Sequence, residues 1–232
     1  MSAMSEFLKD VRILDLSQYI PGPLGSLLLV DLGAEVIKVE PLAGDPMRTL
    51  GPRTRSDGPL FYETLNAGKS VVHLNLKDPD DVSAFIELVK SADVVIEGFR
   101  PGVMQRLGID YATLSLHNPK LIYCAISGYG ASGIDALKAG HDANYLAEAG
   151  VLDRNGNDGP MYFDPPIADE AGSLYAAIAI LGALNARHRT GVGCEIDIAL
   201  ADVIMPMQLL QIADYGENAA VPSRRGTYLN GG

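Results

Sequence analysis

The chain has 232 residues, 47% of them hydrophobic and 20% charged, which is enough apolar material for a buried core and excludes general intrinsic disorder. Two cysteines are too few for a disulfide-stabilised scaffold. The net charge of −11 repels a phosphate backbone, so nucleic-acid binding is not expected, although a few local donors can still bind a small anion.

The amino-terminal segment, MSAMSEFLKDVR, mixes charges with short apolar runs and does not read as a secretory signal peptide. The most apolar segment, 171–186, is too short to cross a bilayer comfortably, and we interpret it as a buried helix. These features predict a cytoplasmic protein with no membrane partner.

Short apolar strands alternate with helical patterns along most of the chain. Strands are predicted at 11–16, 35–40, 70–76, 94–98 and 121–127, with a strand or strand–helix junction at 194–200. Helices are predicted at 24–32, 78–89, 104–107, 111–116, 142–149, 170–187 and 201–214. This alternation predicts an α/β fold, with a Rossmann-like, mostly parallel sheet flanked by helices.

Four loops follow predicted strands and carry most of the glycine, proline and polar residues. They lie at 18–23, 41–66, 98–102 and 128–141, and we interpret 41–66 as one long loop. Ligands of parallel sheets bind beyond the carboxyl ends of the strands, so we expect the four loops to share one face.

The common nucleotide and metal motifs are absent from the sequence. The first strand–helix turn is I-P-G-P-L-G rather than G-x-G-x-x-G, which makes Glu40 a weak candidate for a dinucleotide ribose. Ser127 lies in I-S-G-Y-G, which is not a nucleophile elbow. The four histidines lack metal-ligand spacing, so no metal site is predicted.

Several segments, in order, resemble the family III CoA transferases (CaiB/BaiF). They are VRILDLSQYIPGPLGSLLLVDLGAEVIKVEP, LNAGKSVVHLNLKDP, DVVIEGFRPGVMQRLGIDY, NPKLIYCAISGYGASG, AGHDANYLAEAGVL, PPIADEAGSLYAAIAILGAL and RTGVGCEIDIAL. The resemblance runs from about residue 10 to the end and implies the large domain of that family's fold. The family contains both CoA transferases and α-methylacyl-CoA racemases.

The resemblance implies two catalytic residues, His141 and Asp169. The segment G-H-D-A-N-Y-L-A around His141 is closest to the racemase branch, whereas D-E-A-G-S, which begins at Asp169, fits that branch less well. Inverting a carbon next to a thioester requires a proton donor and a proton acceptor on opposite faces of that carbon. We therefore expect an acyl-CoA racemase or epimerase that acts on a 2-methylacyl-CoA thioester by two-base proton transfer.

Two other functions remain open. In a CoA transferase, Asp169 would attack the thioester and form an aspartyl-CoA intermediate, and His141 would be only a neighbour. The chain could instead be a non-catalytic module for CoA binding or assembly. Asp169 would then be only the N-cap of the next helix, a common position for aspartate. Asp142 is expected to cap the helix that follows His141.

The resemblance also implies where coenzyme A binds as part of the substrate, with no prosthetic group. The adenine region corresponds to His73, Leu74, Asn75 and Leu76, the phosphate groups to Arg100 and Arg106, and the pantetheine arm to Gly140, Asp142, Ala143, Asn144 and Tyr145. Many relatives have arginine where this chain has Pro41. Arg48, Arg53 or Arg55 are candidates to replace that charge.

Members of this family continue well beyond the point where this sequence stops. The resemblance therefore divides the chain into a large CoA-binding and catalytic α/β domain at 1–215 and the start of a linker toward a smaller domain at 216–232. It also implies that the full-length protein forms an interlocked homodimer.

Overall fold

A computed structural model describes residues 3–155 and 159–219 of the chain. Six strands form one sheet: β1 (Arg12–Asp15), β2 (Glu35–Glu40), β3 (Ser70–His73), β4 (Val94–Glu97), β5 (Ile122–Ser127) and β6 (Cys194–Ala199). All neighbouring strands are parallel, in the order β3-β2-β1-β4-β5-β6. The sequence prediction of a parallel α/β fold is confirmed, and the order reverses between β1 and β4, where such sheets place their ligands.

Nine α-helices lie in the described part of the chain. They are α1 (Pro21–Asp31), α2 (Leu60–Leu65), α3 (Pro79–Val89), α4 (Val103–Leu107), α5 (Tyr111–His117), α6 (Asp142–Glu148), α7 (Val151–Arg154), α8 (Ile167–Thr190) and α9 (Leu209–Asn218). Short 3-10 turns cover Ala3–Glu6, Pro46–Arg48 and Met205–Gln208. Asp78 is the N-cap residue of α3, and its side chain accepts a hydrogen bond from the backbone N–H of Asp80.

The core lies on both faces of the sheet, because successive residues of a buried strand point to opposite sides. Ile13 on β1 belongs to the cluster that packs on α1 and α8, whereas Leu14 belongs to the cluster under α3 and α5. Helices α1 and α8 pack closely where Gly25 faces the Ser173 carbonyl. α8 is long and apolar enough to span a membrane by composition alone, but here it packs on α1 and the sheet as a core helix.

Four helix and loop predictions are corrected by the structure. α8 begins at Ile167 instead of 170, which places Asp169 inside its first turn. The segment 41–66 is not one loop, since it contains a 3-10 turn and α2. Helix α7 was not predicted, and residues 201–208 form turns before α9 begins at Leu209.

The predicted end of the large domain, residue 215, falls inside α9, which continues to Asn218. Residues 220–232, most of the predicted linker, lie outside the described residues. The proposed division into domains stays a prediction.

Candidate active site

A cavity of about 310 Å³ opens beyond the carboxyl ends of β1, β4 and β5. Three of the four predicted loops contribute lining residues: the loop after β1 (Ser17 to Gly22), the loop after β4 (Gly98 to Pro101) and the loop after β5 (Gly128 to His141). The remaining lining residues are Ile126 and Ser127 at the end of β5, Tyr145, Asp169 and Leu200. The segment 41–66 contributes none of the lining residues, so the expectation that all four loops meet at one site holds for three.

Asp169 lies in the first turn of α8 and lines this cavity. The N-cap position belongs to Pro166, so Asp169 is not the helix cap. Within residues 3–155 and 159–219, no donor forms a hydrogen bond with its carboxyl group. Burial raises the pKa of Asp169 to about 7, and the neighbouring carboxylates of Asp142 and Glu170 add to the increase. Such a carboxyl group can lose or accept a proton near neutral pH.

The carboxylate of Asp142 supplies the cap that α8 lacks. Its Oδ1 accepts hydrogen bonds from the backbone N–H of Ala168 at 2.6 Å and of Asp169 at 3.1 Å. The expectation that Asp142 caps its own helix, α6, is therefore wrong. Its side chain bridges α6 to α8 because the first amides of α8 need an acceptor and Pro166 offers none.

His141 is the N-cap residue of α6 and faces the same cavity as Asp169. Its backbone N–H donates to Oδ1 of Asn144 at 2.9 Å, and the Asn144 N–H donates to the His141 carbonyl at 2.8 Å. The imidazole is exposed at the start of the helix.

Of the residues expected along the pantetheine arm, Gly140 and Tyr145 line the cavity. The Tyr145 hydroxyl donates to the Gly140 carbonyl at 2.7 Å. A Cβ at Gly140 would lie 2.7 Å from the Tyr145 ring, so only glycine fits. Asp142, Ala143 and Asn144 are not lining residues, and two of them hold helix ends instead.

Buried charges hold the loop that follows β1. Asp15 accepts hydrogen bonds from the Ser17 N–H at 2.9 Å and from the Ser17 hydroxyl, and it pairs with Lys69 at 3.1 Å. Burial alone would raise the Asp15 pKa, but Lys69, Lys38 and two serine hydroxyls outweigh it and lower the pKa. Lys38 donates to the Ser17 carbonyl at 2.8 Å and pairs with Asp45 at 2.9 Å.

The same loop contains a strained residue, Tyr19, whose φ of 63° is rare for a residue other than glycine. The Lys69 ammonium group donates to the Pro23 carbonyl at 2.9 Å, at the far end of this loop from the Ser17 carbonyl that Lys38 holds. The loop is thus fixed at both ends, which allows it to hold Tyr19 in this conformation against the cavity.

Three arginines were candidates to replace the positive charge that is missing at Pro41. They differ in their partners and in their exposure. Arg48 forms two hydrogen bonds with Glu40, at 2.8 and 2.9 Å, and its guanidinium stacks on the Tyr62 ring. Glu40 neutralises its charge, so Arg48 is not available for a phosphate. Arg53 pairs with Asp57 at 3.3 Å. Arg55 is exposed.

Arg100 lines the cavity and is exposed, with no side-chain hydrogen bond or ion pair to any residue that the structure describes. Arg106 lies on α4, and its side chain folds back toward Gly102. Its Nη1 atom is 3.4 Å from the position that a Cβ at residue 102 would occupy. Of the two expected phosphate ligands, Arg100 lines the cavity and Arg106 does not.

The predicted adenine region, His73 to Leu76, lies at the end of the edge strand β3 and outside the cavity lining. His73 is 3.7 Å from Glu40, and Leu74 is buried. Asn75 and Leu76 follow β3 in a turn. The roles assigned to these residues and to the arginines stay predictions.

Sequence reasoning did not assign a role to Gln18 or Ser127, which line the cavity beside Asp169. The Ser127 hydroxyl is buried and has no partner among the described residues. Glu97, at the end of β4, is also buried, and burial raises its pKa to about 7. Their positions at or just after strand ends were the only sequence signal that could have pointed to these residues.

No group of His, Cys, Asp or Glu side chains in the described ranges could bind a metal ion.

The sequence matches the family model described as CoA-transferase family III over residues 8–230. The acetyl-CoA:oxalate CoA-transferase of Acetobacter aceti is 38% identical over 218 residues, covering 92% of this chain and 56% of the relative. The human succinyl-CoA:glutarate CoA-transferase is 39% identical over 196 residues, covering 83% of this chain and 45% of the relative.

A solved CaiB/BaiF family protein from Brucella suis superimposes with a TM-score of 0.89 at 35% identity, over 93% of this chain and 59% of that one. The chain spans about half the length of the curated relatives it matches. Both relatives are named CoA-transferases, which supports the transferase alternative better than the racemase expected from the His141 segment. The parallel sheet, the cavity at its carboxyl edge and these similarities together place the chain in CoA-transferase family III.

Proposed function

We propose that this chain takes part in moving CoA between two carboxylic acids, with Asp169 as the nucleophile. The observation that carries the proposal is the Asp169 carboxyl group, which faces the cavity without a hydrogen-bond donor. A carboxylate that is neither hydrogen-bonded nor paired keeps its electron pairs available for attack. The names of the relatives support the same reaction class.

The reaction needs no external oxidant or reductant. A carboxylate oxygen of Asp169 attacks the thioester carbonyl of the donor acyl-CoA, the C–S bond breaks, and a mixed anhydride and CoA thiolate result. The thiolate then attacks the Asp169 carbonyl and releases the donor acid, leaving an aspartyl-CoA thioester. The acceptor carboxylate reverses both steps and departs as the new acyl-CoA.

Each step passes through a tetrahedral carbon that carries negative charge on oxygen, which requires nearby donors. The Gln18 amide and the Ser127 hydroxyl line the cavity and are the candidates for this role. Arg100 and Arg106 are the candidates for the phosphate groups of CoA, since arginine matches phosphate geometry with two donors.

The direct test is capture of the intermediate. The natural protein is incubated with succinyl-CoA, acetyl-CoA or other acyl-CoA donors, quenched, and digested, and the peptide containing Asp169 is weighed. We expect a CoA adduct on Asp169 that hydroxylamine removes, no adduct in Asp169→Asn, and an adduct in the neighbouring control Glu170→Gln. If the complete protein turns over acyl-CoA while Asp169 stays unmodified, the transferase mechanism is wrong.

One observation favours racemisation as a second candidate: His141 opens on the same cavity as Asp169. A single enantiomer of a 2-methylacyl-CoA incubated in D₂O separates the two functions. A racemase would incorporate deuterium at the α-carbon, and His141→Ala would lose roughly 10²–10⁴ in rate, as expected for a lost acid or base. A transferase would exchange no α-proton and keep much of its activity in His141→Ala.

A further inference from the structure

We propose that Asp142 is a positioning residue for Asp169: its carboxylate occupies the first amides of α8 and so leaves the Asp169 side chain without a donor and facing the cavity. The inference rests on the proposed function only in treating Asp169 as the reacting group. The placement of Asp142 can be tested without any turnover.

The geometry is specific. Asp142 begins α6, next to His141, and its Oδ1 reaches across to the backbone N–H groups of Ala168 and Asp169 at 2.6 and 3.1 Å. The Asp169 carbonyl in turn accepts from the Ser173 hydroxyl at 2.9 Å. The backbone of Asp169 is therefore held on both sides while its side chain stays unbound. One carboxylate thus fixes the spacing between the α6 and α8 sides of the cavity.

An acidic residue in the first turn of a helix is normally stabilised as its anion by the free amides and the positive end of the helix dipole. That arrangement would lower the pKa of Asp169 and weaken it as a base and as a nucleophile. Asp142 prevents it in two ways, because it occupies those amides and brings a second negative charge close to Asp169. The raised pKa of Asp169, about 7, agrees with this reading.

Other groups also act on Asp169 and have to be kept constant in a test. Tyr145 on α6 and Glu170 on α8 are its other titratable neighbours in these helices, and Arg100, Lys138 and His141 border the cavity. Lys138 is paired with Asp135 at 2.8 Å, so part of its charge is already compensated. Among the acidic side chains that the structure describes, only that of Asp142 forms a hydrogen bond with the Asp169 backbone.

The test uses Asp142→Asn, which keeps an acceptor oxygen without charge, and Asp142→Ala, which removes both. The titration midpoint of Asp169 is read from the unfolding free energy as a function of pH, measured in the full chain with and without Asp169→Asn. We expect Asp142→Asn to lower the midpoint by roughly one pH unit, the usual effect of removing one nearby like charge. Asp142→Ala should lower it further, because the freed amides then donate to Asp169.

The activity readout follows the same logic. The pH at which turnover reaches half its maximum should fall in Asp142→Asn with kcat largely retained, whereas Asp142→Ala should lose kcat with little change in KM. The matched controls are Asp110→Asn and Asp110→Ala, because Asp110 caps α5 through Thr113 at 3.1 Å and lies outside the cavity lining. They should change stability and leave the Asp169 midpoint unchanged.

The proposal is overturned if the Asp169 midpoint is the same in the natural protein and in Asp142→Asn, or if the Asp110 variants move it equally. Should Asp142→Ala fail to fold, Asp142→Asn alone decides. A missing covalent adduct on Asp169 would count against the transferase function, while the stability midpoint would still report whether Asp142 positions that group.

Discussion

The ionisation of Asp169 should change the free energy of unfolding with pH, which can be measured without any substrate. Its folded-state pKa of about 7 lies above the ordinary value of 3.8, so the folded state binds more protons than the unfolded state between these pH values. Stability must therefore fall as pH rises through that window, by at most about 4 kcal/mol.

Asp169→Asn removes this loss. The variant should be the more stable protein at pH 8 and nearly equal to the natural one at pH 4, in urea unfolding at both values. Glu63→Gln is the control, because Glu63 is exposed and lies outside the cavity lining, so this variant should show no similar gain at pH 8. If Asp169→Asn is no more stable at pH 8, Asp169 is not held in a destabilising environment.

At the scale of single residues, the sequence could not predict the partners of the side chains that it singled out. The resemblance implied that His141 and Asp169 are catalytic; both line the cavity, and their roles stay predictions. Asp142 was assigned to the wrong helix, because a cap supplied from another element leaves no trace in local sequence. Arg48 was offered as a phosphate ligand, yet Glu40, a strand residue eight positions earlier, neutralises it.

At the scale of elements, the loop after β1 depends on the ion pair between Lys38 and Asp45, both of which are 1% exposed. Lys38→Met leaves Asp45 buried and unpaired, and such losses cost roughly 3–5 kcal/mol. Lys38→Met combined with Asp45→Asn removes both charges and keeps an acceptor for the Met47 N–H, so it should recover a large part of that cost.

Chemical denaturation of the two variants measures the difference. Arg12→Met, which removes a more exposed ion pair with Glu35, should cost less than about 1 kcal/mol and serves as the control. Equal destabilisation by the single and the double variant would show that the lost bond to the Ser17 carbonyl, and not the unpaired charge, dominates.

Two helical glycines should respond in opposite ways to a larger side chain. A Cβ at Gly25 on α1 would lie 3.2 Å from the Ser173 carbonyl oxygen, so Gly25→Leu should separate α1 from α8 and cost about 1–3 kcal/mol or more. A Cβ at Gly182 on α8 would meet nothing within 4 Å, so Gly182→Ala should stabilise by about 0.5–1 kcal/mol. Thermal unfolding of both variants checks the signs, and destabilisation by Gly182→Ala would contradict the packing described for α8.

All six strands were predictable because each is a short apolar run between turn residues, and the structure shortens five of them by only one to three residues. Helices α2 and α9 were less predictable. α2 has only six residues and lies within a segment rich in glycine and proline, so no helical period is visible. The prediction of one helix over 201–214 assumed that its apolar side chains are buried. Most residues of α9 are exposed instead, so burial does not mark where this helix begins.

At the scale of the whole molecule, a chain with a net charge of −11 is proposed to bind an anion as highly charged as CoA. The overall field opposes the ligand, so binding depends on a few local cations. Arg100→Gln combined with Arg106→Gln should weaken CoA binding at least tenfold in calorimetric titration, as expected for the loss of charge-assisted phosphate contacts. Arg53→Gln, whose guanidinium is paired with Asp57, should leave affinity unchanged. An unaffected double variant would remove both arginines from the phosphate site.

The strand order also has a consequence for how the chain acquires its site. β1 pairs locally with β2, but its other neighbour is β4, and the bond from the Arg12 N–H to Asp93 joins residues 81 positions apart. The cavity needs loops from β1, β4 and β5 together with α8, whereas β1, α1 and β2 are complete within the first 40 residues. Distant pairings form slowly, since the entropy of loop closure must be overcome first. Because synthesis starts at the amino terminus, β1, α1 and β2 leave the ribosome well before Asp169 and Leu200, so the cavity cannot be complete until both of these lining residues have emerged.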